Sequence, residues 1–395
     1  MKRYFLAEDT INSEDIQELI AWLQTNPWLT QGPLVNKLQD LWSQWLGISH
    51  SVFVNSGSSA NLLMFYALLL SEKLKNKKVV VPAVSWATTV APAIQLGFEP
   101  IMCEADPKTF GLDLNHLETI LKTENPGSVI AVHVLGVPCD LKGLMEMKTR
   151  YEFLLMEDSC AATGSSYQGK KVGTFGDVST FSFFFGHHIS TIEGGMVCTQ
   201  DSGINEILLS IRSHGWAKDL PKERQNQMAE EAGALEFNQS FTFYYPGFNV
   251  RSTDLNARIG ISQMGKIDQV VKRRVENHKL YQSKFAGVPG FQYAVNPEAE
   301  ISSIAFSLLA SSIAHRSQIV EGLRQTGVET RPLGGGNMSR QPFWKKHFPS
   351  CDFPVADRIR DTCFQLPNHP GLSQEDIHFI CDSILSYAEH SSTRA

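Results

Sequence analysis

The sequence predicts an α/β chain in which a large domain on a mostly parallel sheet precedes a smaller α+β domain. Three observations carry this. Between about residues 50 and 200, short apolar runs alternate with amphipathic stretches. Those runs show little internal alternation, as strands covered on both faces do. After about residue 255 the pattern changes to a long helical stretch and a shorter strand–helix set. At 395 residues the chain is long enough for two domains, and the expected division is 1–255, with the N-terminal segment lying partly with the small domain, and 256–395.

In chain order, LLMFYALLL (62–70) reads as a buried helix, well short of the roughly 18–20 apolar residues needed to cross a bilayer. Six strands follow: VVVPAVS (79–85), PIMCEA (100–105), SVIAVHVLG (128–136), FLLMEDS (153–159), VSTFSFF (178–184) and GGMVCT (194–199). Between them, ATTVAPAIQLG and LNHLETILKT read as helices, the latter with apolar residues at helical spacing. ARIGISQMGKIDQVVKRRVENHKLYQSKF (257–285) reads as one long helix, and a last helix is expected near 374–388. PGFNVR (246–251) and RPLGGGN (331–337) are glycine-containing loops, the kind that contact a ligand or a partner subunit.

Composition excludes several function classes. A net charge of −6 gives no general attraction to nucleic acid or an anionic membrane, and the basic runs KLKNKK (73–78) and KRR (272–274) come without a reading motif. The opening MKRYFLAEDTINSEDI lacks the sustained apolar core of a signal peptide. Seven cysteines include no CxC or CxxC pair, so neither a zinc knuckle nor a close-spaced iron–sulfur loop is visible, and a reducing, cytoplasmic setting is expected.

Ligands of open parallel sheets collect at the carboxyl ends of the strands. NSGSSANLLMFYALL (55–69) sets Gly57, Ser58 and Ser59 at the start of a strong helix, either a phosphate site made by free N–H groups or an ordinary serine cap. Asp158 ends an apolar strand, where its carboxylate could hold a pyridinium nitrogen protonated or merely cap a helix. Trp86 follows another strand end and could stack on a flat ring or simply pack. His187 and His188 follow VSTFSFF; their spacing does not match HExxH, so a metal site is not expected, and histidine suits a general base at neutral pH.

Taken in order, NSGSSAN, VPAVSWATT, MEDSCAATG, GTFGDVSTFSFFFGHHISTIEGG, IRSHGW, PGFNVR, RPLGGGN and LPNHP resemble the DegT/DnrJ/EryC1/StrS group of sugar aminotransferases, over nearly the whole chain. The resemblance implies the pyridoxal-phosphate-dependent fold type I, with 1–255 as the cofactor-binding domain. In that family the stretch ending in EGG reads Ser-Phe, three residues, then the lysine that links covalently to the cofactor. Counting from Ser182-Phe183 puts His187 at that position, and no lysine lies between Lys171 and Lys218.

A subset of the family carries His-His here, the sugar 3-dehydratases. The resemblance therefore implies removal of the C3 hydroxyl from a nucleotide-linked 4-keto-6-deoxyhexose, with GDP-4-keto-6-deoxymannose as the foremost substrate. The cofactor would cycle between pyridoxal and pyridoxamine 5′-phosphate with L-glutamate as amino donor, releasing ammonia. His187 is then the base. Gly57, Ser58 and Ser182 match phosphate-binding positions, Trp86 the ring-stacking aromatic and Asp158 the pyridine-nitrogen partner. Asn249 matches an asparagine that reaches the neighbouring subunit's cofactor, which implies a homodimer. His188, His214 and Arg331 fall on the substrate side, with the fork of Arg331 suited to a pyrophosphate.

Ala161 departs from the pattern: three residues after the cofactor aspartate, aminotransferases usually carry glutamine or histidine and the dehydratases an acidic residue. Three alternatives stand beside the dehydratase. A CDP-sugar 3-dehydratase would need an iron–sulfur cluster, whose grouped cysteines the chain lacks. A conventional aminotransferase would need the lysine. A non-catalytic sugar-binding relic draws its support from Ala161.

Overall fold

In the computed structural model, which describes residues 2–392, fourteen strands form three sheets. The large sheet contains β1 (His50–Val54), β2 (Lys78–Pro82), β3 (Glu99–Cys103), β4 (Ser128–Val132), β5 (Leu154–Asp158), β8 (Val178–Ser182) and β9 (Gly195–Thr199). A short hairpin, β6 (Ser166–Tyr167) and β7 (Lys170–Lys171), pairs with β11 (Ala299–Glu300). The third sheet joins β10 (Phe291–Tyr293), β12 (Ala305–Ala310), β13 (Arg331–Pro332) and β14 (Cys363–Pro367) in the order β10-β12-β14-β13.

The large sheet runs β1-β9-β8-β5-β4-β2-β3. Only β9 runs against its neighbours, pairing antiparallel with both β1 and β8; the pairs β8–β5, β5–β4, β4–β2 and β2–β3 are parallel. Every residue of β4, β8 and β9 is buried, which explains why these segments show no polar alternation. The six strands expected from the sequence are present but shorter. β1 had no place in that expectation; it is the five-residue run HSVFV, separated from the apolar part of the helix Gly57–Leu70 by NSGSSAN.

The helix Gly57–Leu70 is buried on nearly all sides, packed between β8, β9 and the helix Ala87–Gln95. The expected helix over 257–285 is two helices, Asp254–Met264 and Ile267–Phe285, broken at Gly265–Lys266. Thr253 caps the first by accepting from the Asn256 N–H, a start signal that lies upstream of the apolar spacing. The third sheet has its own core, in which Tyr281 and Phe285 stack on Phe306 of β12.

Candidate active site

A cavity of about 540 Å³ opens where the carboxyl ends of the parallel strands meet the third sheet. Its wall holds the last residues of β4, β5 and β8, the Val84–Trp86 segment beyond β2, the start of the helix Gly57–Leu70, and Ile304, Ala305, Arg331 and Gln365 from the other sheet. Leu6 and Ala7 close one side; the Leu6 N–H donates to Glu329 Oε2 at 3.0 Å.

One corner is built for an anion. Ser56 caps the helix through Oγ, which accepts from the Ser59 N–H at 3.0 Å. Among the described residues, no protein acceptor takes the N–H of Gly57 or Ser58, so both face the cavity with the positive end of the helix dipole. Ser182 closes the corner. A Cβ on Gly57 would lie 2.6 Å from Ser182 Cβ, and one on Gly195 would lie 2.4 Å from the Ser56 carbonyl oxygen. The antiparallel β9 begins at this same edge, which is why its first residue abuts the helix start.

The carboxylate of Asp158 accepts from Asn61 Nδ2 at 2.9 Å and Thr89 Oγ1 at 2.7 Å on one oxygen, and from the Cys160 N–H at 3.1 Å on the other. Asn61 is itself oriented by Thr180, whose Oγ1 donates to its Oδ1 at 2.6 Å. The adjacent Glu157 points to the opposite face of β5, where it accepts from the N–H groups of Gly173 and Phe175 and from His133 Nε2. Trp86 leaves 60% of its surface open at the cavity, and its ring edge would lie 3.2 Å from a Cβ placed on Gly334.

His187 lines the cavity, and no hydrogen-bond partner reaches its Nδ1. Part of its surface opens to the cavity, yet the ring sits deep among protein atoms, and that depth governs its protonation. Burial is the largest effect, a contact with the Cys160 backbone opposes it, the Arg274 charge reinforces it and Asp158 opposes it; the outcome is about 4. At neutral pH the ring is therefore the free base. No lysine lines the cavity among the described residues.

The structure assembles Gly57, Ser58, Trp86, Asp158, Ser182, His187 and Arg331 around one cavity. Arg331 is held by Glu329 Oε1, which accepts from Nη2 at 2.9 Å and Nε at 3.2 Å. His188, expected on the substrate side, is a correction: consecutive side chains in this turn diverge. It is fully buried, with Nε2 at 2.9 Å from the Ser302 carbonyl oxygen and 3.0 Å from its Oγ. His214 and Asn249 do not line this cavity. Asn249 pairs with Ser213 in an isolated antiparallel bridge and is exposed, and the ring of His214, next to Ser213 in the chain, stands edge-on to Trp216.

Asn61 and Thr89, which hold the Asp158 carboxylate, were not singled out by the motif reading, although both lie inside quoted motifs. Asn61 is one helical turn beyond Gly57, and Thr89 is three residues beyond Trp86. Ala161 lines the cavity without adding a polar group, next to the apolar Val134, Leu135, Ile304 and Ala305. Glu193 supplies a carboxylate on the open side. Among the described residues, no group of three or more His, Cys, Asp or Glu side chains could hold a metal ion.

An anion corner at a helix start, a buried carboxylate at the end of β5 and an aromatic ring at the same cavity fit a phosphorylated pyridine. The molecule has the architecture of the pyridoxal-phosphate-dependent fold type I. The chain belongs to the DegT/DnrJ/EryC1/StrS aminotransferase family, whose model matches residues 9–385. It is 34% identical over 366 residues to GDP-4-keto-6-deoxy-D-mannose 3-dehydratase of Yersinia pseudotuberculosis, covering 91% of each chain. Among solved structures, the E. coli GDP-4-keto-6-deoxy-D-mannose-3-dehydratase with bound hydrated PLP superposes with a TM-score of 0.88 at 30% identity, covering 97% of this chain and 100% of that one. A GDP-4-keto-6-deoxymannose-3-dehydratase with a trapped PLP-glutamate geminal diamine also gives 0.88 at 30% identity, covering 96% and 100%.

Proposed function

We propose that this protein is a pyridoxal-phosphate-dependent nucleotide-sugar 3-dehydratase acting on GDP-4-keto-6-deoxymannose. It uses L-glutamate as amino donor and releases ammonia with a 3-deoxy-4-keto sugar. One observation carries the reading: Gly57, Ser58, Trp86, Asp158 and Ser182 line one cavity with His187, and among the described residues no lysine lines it.

When bound, the cofactor supplies an amino group that condenses with the C4 carbonyl and a ring that accepts electrons while the C3 hydroxyl leaves. The N–H groups of Gly57 and Ser58, with the hydroxyls of Ser58 and Ser182, bind its phosphate. Asp158, aimed by Asn61 and Thr89, holds the proton on the pyridine nitrogen. Trp86 covers the ring. His187 takes and returns the proton at the cofactor's C4′. A lysine there could do the same but would also capture the cofactor's aldehyde; an imidazole cannot, so water completes the cycle. Arg331 presents its fork to the substrate's diphosphate.

Asn249 and His214 complete the site of a neighbouring subunit, making the protein a homodimer. The exposed apolar side chains Leu235, Phe237 (94% exposed), Phe241 and Phe243 lie in the segment just before Asn249 and support that reading. In this division, 1–255 is the cofactor-binding domain and 256–395 the small one. No helix among the described residues is long and apolar enough to cross a membrane, and we place the reaction in the cytoplasm, where deoxysugars for surface polysaccharides are made.

The test offers purified protein, pyridoxal phosphate, glutamate and no added iron to a panel of nucleotide 4-keto-6-deoxy sugars. Mass spectrometry should find loss of water from the GDP-linked sugar with stoichiometric ammonia. An aminated sugar would instead make the protein a transaminase without its lysine. His187→Asn should abolish dehydration and leave cofactor binding intact; a variant that still turns over removes His187 from its role.

A further inference from the structure

Behind His187 lies a charge that the reaction as described does not use. Arg274, on the helix Ile267–Phe285, is 1% exposed, and no carboxylate among the described residues lies within ion-pair distance of it. Its acceptors are backbone carbonyls from three segments. Nη2 donates to the His187 oxygen at 3.0 Å; Nη1 donates to Ile304 at 3.0 Å, Asn368 at 2.9 Å and Ser303 at 3.3 Å. Nε has no partner. Burial pushes this guanidinium down to about 9, so it is still cationic at neutral pH.

A buried cation without a counter-charge is unfavourable, and an apolar side chain would fill the same volume more stably. Its position suggests what it does. The carbonyl it grips belongs to His187, while Ile304 and the adjacent Ala305 form the cavity wall opposite. The next residue makes a second tie between the same two segments, since His188 Nε2 meets Ser302. The histidine turn and the 302–304 segment are thus bracketed together at two points.

We propose that Arg274 is a positioning residue for the dehydration: its fork clamps the His187 main chain to the cavity wall at Ile304, with its unpaired cation held behind the imidazole. That charge adds to the larger effect of burial in disfavouring the imidazolium. The other charged or titratable groups facing His187 are Asp158 and Cys160 from the end of β5, the neighbouring His188, Glu193 on the same loop and Arg331 from β13. Of these, Arg331 is tied to Glu329. Among the described residues, Arg274 is the one buried cation in direct contact with the histidine's own backbone.

The inference rests on His187 as the proton carrier but is read out separately from it. His187 is titrated by NMR in cofactor-free protein carrying nitrogen-15 imidazoles, its signal assigned by its loss in His187→Asn. In Arg274→Met the protonation midpoint should rise by about half a pH unit or more, and the acid limb of kcat/KM should move with it. At the pH optimum kcat should fall about tenfold, with the KM for the sugar nearly unchanged. Arg274→Lys, which keeps the charge and loses the fork, should lower kcat while leaving the midpoint near its original value. Where the methionine variant does not fold, Arg274→Gln carries the same measurement. A folded neutral variant with an unshifted midpoint and only a lower melting temperature would make Arg274 a structural residue and overturn the proposal. Turnover by His187→Asn would instead overturn the role of His187, whatever Arg274 does to its titration.

Discussion

At the scale of the residue, Asp158 depends on neighbours that do no chemistry. Two side-chain donors share one of its oxygens, and a hydrogen bond to a charged group contributes about 1.5–3 kcal/mol. Thr89→Val removes one of them with little change of volume. The expected result is cofactor binding weakened by about tenfold or more, read by absorbance titration, with the fold retained. Arg331 is more exposed, so Arg331→Ala should raise the KM for the nucleotide sugar about tenfold and change kcat little; an equal loss in kcat would move it into the chemistry. Asp158, Trp86 and His187 were legible in the sequence because each lies at or shortly beyond the end of an apolar strand, and strand ends are where such sheets bind ligands. His188 was not. Its place beside His187 in the chain says nothing of ring direction in a turn, and Ser302, the residue that claims it, is more than a hundred positions away. Arg274 was hidden for the same reason: its KRR run reads as a solvated helix face, whereas the fold drives it between two sheets.

At the scale of the element, the helix Gly57–Leu70 is fixed by what crowds its first turn. Gly57→Ala would push a methyl group into Ser182 and Cys160, with Cβ–Cβ at 2.6 Å. Helix propensity alone favours alanine, so the two effects have opposite signs. Close contact with the β8 terminus decides it: the helix start must shift and its free N–H groups lose their aim. We expect phosphate affinity, measured as cofactor retention on dialysis, to fall by tenfold or more while the melting temperature changes by only a few degrees. Unchanged retention would show that the N–H groups are not the phosphate contacts. The helix was legible from NSGSSAN followed by an apolar run. Its relation to β9 was not, since a sequence pattern gives no strand direction, and only the antiparallel course of β9 brings Gly195 to the same corner. The break at Gly265–Lys266 was equally invisible, because apolar spacing continues across it.

At the scale of the whole molecule, several histidines are folded away uncharged. Burial is the first cause in each case: His278 is held down to about 3, and His188 well below its ordinary value. Both folded-state values lie below the unfolded one, so the unfolded chain binds protons that the native state refuses. Their stabilisation is complete above about pH 6.5 and is lost as pH falls below it. At about 1.4 kcal/mol per proton per pH unit, these two groups make the protein roughly 3 kcal/mol less stable at pH 5.5 than at 7.5. Chemical denaturation at the two pH values measures this, and His278→Gln should reduce the difference by about 1.4 kcal/mol. A stability independent of pH over that range would mean that these rings are not buried neutral. The broad architecture was legible, from buried strands separated by helices, but the depth of these histidines comes from long-range packing that no local pattern records.

The cavity wall is drawn from almost the full length of the chain, from Leu6 to Gln365. During synthesis, therefore, residues through Gln365 must emerge before the pocket has every wall, and Leu6 waits for Glu329 to be translated before its N–H finds its acceptor. Loading then waits for β14. A fragment cut short before β14 would keep the anion corner and Asp158 but lack part of the far wall.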